Sequence, residues 1–225
     1  MHIGLIGGIG PAATVFYYER LVAAFAQAGK PLHLTIAQTS VETLAHNATH
    51  GKVAEQVAEY CRVTEQLAGA GADCVVISSM GGHFCAHAFA PVSPLPLLSG
   101  PNAVAEDLAE RGIKRIGILG ARVVMETGLY GTLEAFDPVV PTGDALTEAS
   151  EDYIAVAIAG TATTDQRKRL LAAGERLVRD RGAQALLLGG TDLGIVYHGQ
   201  SLTYPVIDSA AVHVDAIVAA ALVEA

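Results

Sequence analysis

Gly71-Ala-Asp-Cys-Val-Val-Ile-Ser-Ser79 returns later in the chain as Gly182-Ala-Gln-Ala-Leu-Leu-Leu-Gly-Gly190. Each copy is a Gly-Ala turn, a short run of mainly apolar residues and a pair of small residues. Such a run, bounded by turn signals, reads as a strand buried on both faces. The opening Ile3-Gly-Leu-Ile-Gly7 recurs in the same way as Ile116-Gly-Ile-Leu-Gly120. The two offsets are 111 and 113 residues, and Glu65-Gln-Leu67 is echoed by Glu175-Arg-Leu177. Blocks that repeat in order at nearly one offset point to duplication of a whole unit, against the plainer reading that buried strands look alike.

Outward from these blocks, short apolar runs alternate with helical periodicity. Further strands are expected at 32–38, near 98 and at 205–207. Helices are expected at 14–27, 53–69, 103–111, 150–159, 164–181 and 210–223. Pro11 suits a first helical position and Gly112 a position just past a helix end. Apolar strands alternating with helices make a parallel sheet covered on both faces. The expected fold is α/β, with two pseudo-symmetric doubly wound parallel-sheet domains and an active-site cleft between them. The first domain takes 1–98 plus 208–225 and the second takes 99–207. Ser79 and Gly190 then stand at equivalent strand C-termini, where open α/β sheets bind ligands.

Composition narrows the function. The chain is 51% hydrophobic and 16% charged, which excludes a disordered protein. Its 14 Lys and Arg against 23 Asp and Glu give a net charge of −9, the wrong sign for nucleic acid or an anionic membrane. No apolar stretch has the length and purity of a membrane span; the tail from 210 is broken by His213, Asp215 and Glu224. The N-terminus lacks a basic region ahead of a long apolar stretch, so no signal peptide is expected. Three cysteines, Cys61, Cys74 and Cys85, without a CxxC pair suit a reducing cytoplasm.

The turn Gly7-Gly8-Ile9-Gly10-Pro11 follows a strand and opens a helix. It is not GxGxxG, and the second strand ends at Gln38 rather than at an acid, so dinucleotide binding has little support. The turn offers backbone N–H groups to a small carboxylate, or it is simply a tight turn. His83 and His87 would share a helical face, but no third metal ligand accompanies them and no metal is expected. Ser79 has no GxSxG context.

Together these pieces resemble the aspartate/glutamate racemase superfamily over nearly the whole chain. The likeness is carried by Ile3-Gly-Leu-Ile-Gly-Gly-Ile-Gly-Pro-Ala-Ala-Thr14, Thr39-Ser40-Val41, Leu119-Gly-Ala-Arg122 through Met125-Glu126 and Tyr130, Leu187-Leu-Gly-Gly-Thr191-Asp192, and Pro205-Val-Ile-Asp208-Ser209 through His213. The second to fifth of these point to the broad-specificity amino-acid branch. The resemblance implies a cytoplasmic homodimer that needs no PLP or other cofactor and racemises or epimerises a small amino acid or carboxylic acid at Cα. It also implies two cysteines, one thiolate removing the α-proton and the opposite thiol delivering one, since a thiol pKa near 8.5 makes both forms reachable.

Here the first cysteine aligns with Ser79 and the second with Gly190. The Asn and Thr that usually follow the first are Met80 and Gly81. Three residues are candidates to stand in: Cys85 as a thiolate in a helix's first turn, His83 as a general base, and Asp192 as a titrating group beside Gly190. Each has the plainer alternative of supporting the pocket only. The substrate-binding set implied is Gly8, Gly10, Thr14, Thr39, Ser40, Met80, Gly81, Arg122 and Thr191, with Arg122 either pairing a second carboxylate or solvated at the surface. Decarboxylation, elimination or isomerisation of a small diacid, or binding without catalysis, are the alternatives to racemisation.

Overall fold

The computed structural model describes residues 1–223; Glu224, expected to interrupt the apolar tail, and the end of the 208–225 segment lie outside the described residues. The chain forms two compact units, one from Met1–Gly100 together with the chain from His213 on, the other from Pro101–Val212. In order, the elements are β1 (His2–Gly7), α1 (Pro11–Gln27), β2 (His33–Gln38), α2 (Val41–Thr49), α3 (Val53–Gly69), β3 (Cys74–Ile77), α4 (Ala86–Phe89), β4 (Leu97–Leu98) and α5 (Gly100–Glu110). They continue with β5 (Ile116–Leu119), α6 (Arg122–Glu126), β6 (Pro138–Val139), α7 (Asp144–Ala159), α8 (Thr164–Arg179), β7 (Ala185–Leu188), α9 (Gly194–Tyr197), β8 (Val206–Asp208) and α10 (Ser209–Val223).

Each unit holds a four-stranded parallel sheet, ordered β2-β1-β3-β4 in the first and β6-β5-β7-β8 in the second. The permutation is the same, as two pseudo-symmetric doubly wound units require. The match extends to single contacts. A side chain at Gly4 in β1 would press on the Cβ atoms of Leu67 and Ala72, at 3.2 and 3.1 Å; one at Gly117 in β5 would press on those of Leu177 and Ala183, at 3.1 and 3.4 Å. Glycine in the first strand of each sheet therefore lets α3 or α8, the helix leading into β3 or β7, lie close on it. The loops repeat as well: Asp73 N–H donates to the His2 carbonyl and Gln184 N–H to the Arg115 carbonyl, at 2.8 and 2.9 Å.

In the first unit Ile6, Val75 and Ile77 join Tyr60, Val63 and Leu67 of α3 in one apolar cluster. Strand alternation sends Ile3, Leu5 and Val76, all fully buried, to the other face. Helix α1 buries Tyr17, Leu21 and Phe25, a single i, i+4, i+8 stripe. In α10, Ala210, Val214, Ile217 and Ala221 are buried. Helix α2 and the short helices α4, α6 and α9 were not expected, and α7 is longer than expected. Helix α2 is nucleated by Ser40, whose Oγ accepts the Thr43 N–H at 3.2 Å. Helix α7 starts at Asp144 rather than near 150, behind Gly143 at φ +59°, with acidic Asp144 in its first turn.

Candidate functional site

The C-terminal strand ends of the first unit carry Gly8–Gly10, Thr39–Ser40 and Ser78–His83. Thr14, one turn into α1, braces the glycine loop: its hydroxyl accepts the Gly8 N–H at 3.0 Å and lies 3.3 Å from both the Gly10 carbonyl and Ser78 Oγ. Ser78 Oγ donates in turn to the Ile6 carbonyl at 2.9 Å. The Gly8 N–H, expected to cradle a carboxylate, is thus spent on Thr14. Gly8 sits at φ +80° with the Gln38 side chain lying where a Cβ would be, so only glycine fits. Gly10, at φ +111°, precedes the uncapped first turn of α1. Thr39 is buried, and both its N–H and its hydroxyl go to the Gly7 carbonyl, at 2.9 and 3.4 Å. Ser40 caps α2 and donates to Glu42 at 2.6 Å, which holds the Glu42 carboxyl below its ordinary range.

Beyond β3, Ser79 is half-buried and its Oγ has no hydrogen-bond partner among the described residues. Gly81 is half-buried beside it. His83 differs from the general base expected. Its Nε2 accepts the Gly100 N–H at 3.2 Å, so the proton is on Nδ1, which meets the Ser79 carbonyl at 2.8 Å. Both nitrogens are engaged, the ring is buried, and burial pushes its pKa down to about 4. His213 is a second such ring: its Nδ1 takes the Tyr17 hydroxyl at 2.8 Å, and its Nε2 meets the Leu98 carbonyl at 3.0 Å. Burial and the neighbouring His83, 5.8 Å away between ring centroids, lower it to about 3.

Cys85 is no thiolate at a helix N-terminus. It lies in a 3-10 turn, 1% exposed, within the apolar cluster under α3, and burial pushes the thiol up to about 12. Met80, expected beside the substrate, is 1% exposed, with its terminal atoms packed where a Cβ on Gly100 would fall.

In the second unit Arg122 is exposed, paired with Glu126 at 2.9 Å and donating to Thr147 Oγ1 at 2.6 Å. Its backbone N–H donates to buried Ser150 at 3.0 Å. Thr147 and Ser150 lie on one face of α7, and the next residue of that face is Tyr153. A Cβ built on Gly190 would collide with the Tyr153 phenol oxygen and ring. The space that a side chain at 190 needs is filled by this tyrosine. Asp192 is half-buried, and burial raises its pKa. Burial and the Asp192 charge raise that of Tyr153. Thr191 and Asp192 begin a 3-10 turn behind Gly190. Sequence reading passed over Tyr153, one of several polar residues on a helix that also carries Asp144, Glu148, Glu151 and Asp152.

Among the described residues no helix is long and apolar enough to cross a membrane, and no three His, Cys, Asp or Glu side chains gather to hold a metal ion.

With this geometry in hand, relatives are identifiable. A Yersinia pestis protein assigned as an Asp/Glu racemase is similar at 25% identity, covering 99% of this chain and all of that one, with a TM-score of 0.88. An aspartate racemase homologue from Pyrococcus horikoshii shares the fold at 21% identity over 98% of this chain and 99% of its own, TM-score 0.83. A glutamate racemase from Francisella tularensis, solved with D-glutamate, shares it at 12% identity over 99% and 81%, TM-score 0.66. Residues 6–217 match the family described as Asp/Glu/Hydantoin racemase, and the chain belongs to that family.

Proposed function

We propose that this protein binds a small carboxylic acid, amino acids included, at its strand C-terminal ends and isomerises it at the carbon beside the carboxylate, without PLP and without a pair of thiols. Family membership over residues 6–217 supports the substrate class and the isomerase-type chemistry. The observation that carries the thiol-free reading is the state of position 190, where Tyr153 takes up the room a cysteine would need. Cys85 of the first unit, buried and held protonated, is a poor substitute for a reactive thiol. Ser79 Oγ in the first unit, and Tyr153, Thr191 and Asp192 in the second, are polar groups available near the strand ends. Localisation in the cytoplasm and a homodimeric state belong to the same proposal.

A second reading is favoured by the same absence. Reactions that protonate from one face only, such as decarboxylation of a malonate or isomerisation of maleate, need no symmetric pair. Incubation in D₂O with the common amino acids, substituted malonates and maleate separates the readings. Exchange of Cα–H supports the first, and turnover of the diacids without exchange of amino acids supports the second. A chain inert toward all of them, yet thermally stabilised by one, is a binder and contradicts both.

A further inference from the structure

We infer that the Tyr153 hydroxyl is the ligand-facing donor at the end of β7, set in the space of the missing side chain at position 190 and taking a carboxylate oxygen of a small acid as its partner. The inference rests on the reading proposed above and names the group that acts at this strand end.

The fit of the two residues is the starting point. The three atoms a Cβ on Gly190 would meet first all belong to Tyr153, the phenol oxygen among them. A minimal residue on the strand and a large one on α7 thus share one volume. The phenol oxygen is thereby placed against the backbone at the end of β7, which pairs with both β5 and β8. That edge of an open parallel sheet is where ligands enter.

The hydroxyl is also unemployed. The phenols of Tyr17, Tyr60 and Tyr197 are bonded, to His213, the Gly82 carbonyl and the Leu170 carbonyl at 2.8, 3.1 and 2.6 Å. Tyr153 has no such partner among the described residues and stays partly exposed. The Tyr204 phenol is also unpartnered but closed off from solvent, whereas the Tyr153 hydroxyl is open to water, which an anionic oxygen can displace. The preceding turn of α7 is tied down by Arg122, which reaches Thr147 through its guanidinium and Ser150 through its N–H. Desolvation keeps the phenol protonated at neutral pH, so it serves as a donor toward an anionic oxygen, or toward charge building on one, and not as the base that removes a proton.

The test uses the full chain labelled with ¹³C at tyrosine Cζ, and the Tyr153→Phe variant, which keeps the ring and its packing on Gly190. Of the resonances of seven tyrosines, the one absent from the variant is Tyr153. Both proteins are titrated with malonate, maleate, L-aspartate and D-aspartate. At least one acid is expected to move the Tyr153 resonance, and to bind the variant tenfold or more weaker, the order of effect of losing a hydrogen bond to a charged group. A Tyr153 resonance indifferent to all four acids, or equal affinity in the variant, overturns the inference. Deuterium exchange on the same samples keeps the two claims apart: a moving resonance without exchange removes the proposed isomerisation and leaves the binding donor standing.

Discussion

Gly190 and Tyr153 behave as one structural statement. Restoring a cysteine at 190 alone forces its Cβ into the phenol, and overpacking of this kind costs about 1–3 kcal/mol. Gly190→Cys should therefore lower the urea midpoint, and should lower it less in a Tyr153→Ala background than in the natural chain. Equal destabilisation with and without the tyrosine would show that the space is not shared. The cysteines can be ranked by the same reasoning. Cys61 is partly exposed whereas Cys74 and Cys85 are buried, so iodoacetamide on the native chain should label Cys61 first and leave Cys85 for the unfolded state, as read by peptide mass spectrometry.

His83 and His213 make a residue-scale prediction about acid. Both are neutral in the folded chain, with values near 4 and 3 against 6.5 for a free ring. Above pH 6.5 neither state takes up the proton and these rings add no pH dependence. As pH falls from 6.5 toward 4 the unfolded chain binds protons that the folded chain refuses, and stability drops by about 1.4 kcal/mol per pH unit for each ring. Urea unfolding at pH 7.5 and 5.0 should show the decline, and His213→Gln should make it shallower. An unchanged slope in that variant would mean that His213 protonates freely when folded.

At the scale of elements, β1, β3, β5 and β7 were legible because each is a run buried on both faces, and such runs admit few residue types, whereas the two-residue β6 was not expected. Gly71-Ala and Gly182-Ala announced both halves because the alanine is where the chain packs against Gly4 or Gly117. The strand ends were legible only as places. Thr14, Ser40 and Ser79 stand where the sequence put them, but which N–H and hydroxyl groups remain for a ligand depends on partners from other elements. Thr14 removes Gly8, and Gly100 removes His83. Tyr153 was illegible because its meaning comes from Gly190, a residue of a different element. The helix contact itself is testable. Gly4→Ala puts a Cβ 2.9 Å from the Cys74 carbonyl, whereas Gly117→Ala meets nothing closer than 3.1 Å. Both should destabilise, Gly4→Ala more, with about 1–3 kcal/mol as the expected range by chemical denaturation.

Over the whole molecule the two units are encoded with an exchange. Helix α5 follows the last strand of the first sheet yet belongs, from Pro101, to the second unit; α10 follows the last strand of the second sheet and belongs, from His213, to the first. A fragment ending at Gly100 would lack His213, the partner of Tyr17, and the buried Val214, Ile217 and Ala221. It should show no cooperative unfolding transition on its own, despite holding a complete four-stranded sheet; a sharp transition would contradict that assignment.

If this family member handles small acids with no sulfur in the chemistry, replacing its cysteines leaves that chemistry intact. The most direct measurement is Cα–H exchange in D₂O, followed by NMR for a panel of amino acids and small acids, with the natural chain and with Cys61→Ser/Cys74→Ala/Cys85→Ala side by side. Exchange of at least one acid, at rates within about twofold in the two proteins, is the predicted result. Exchange that vanishes with the cysteines, or that the natural chain never shows, would contradict it.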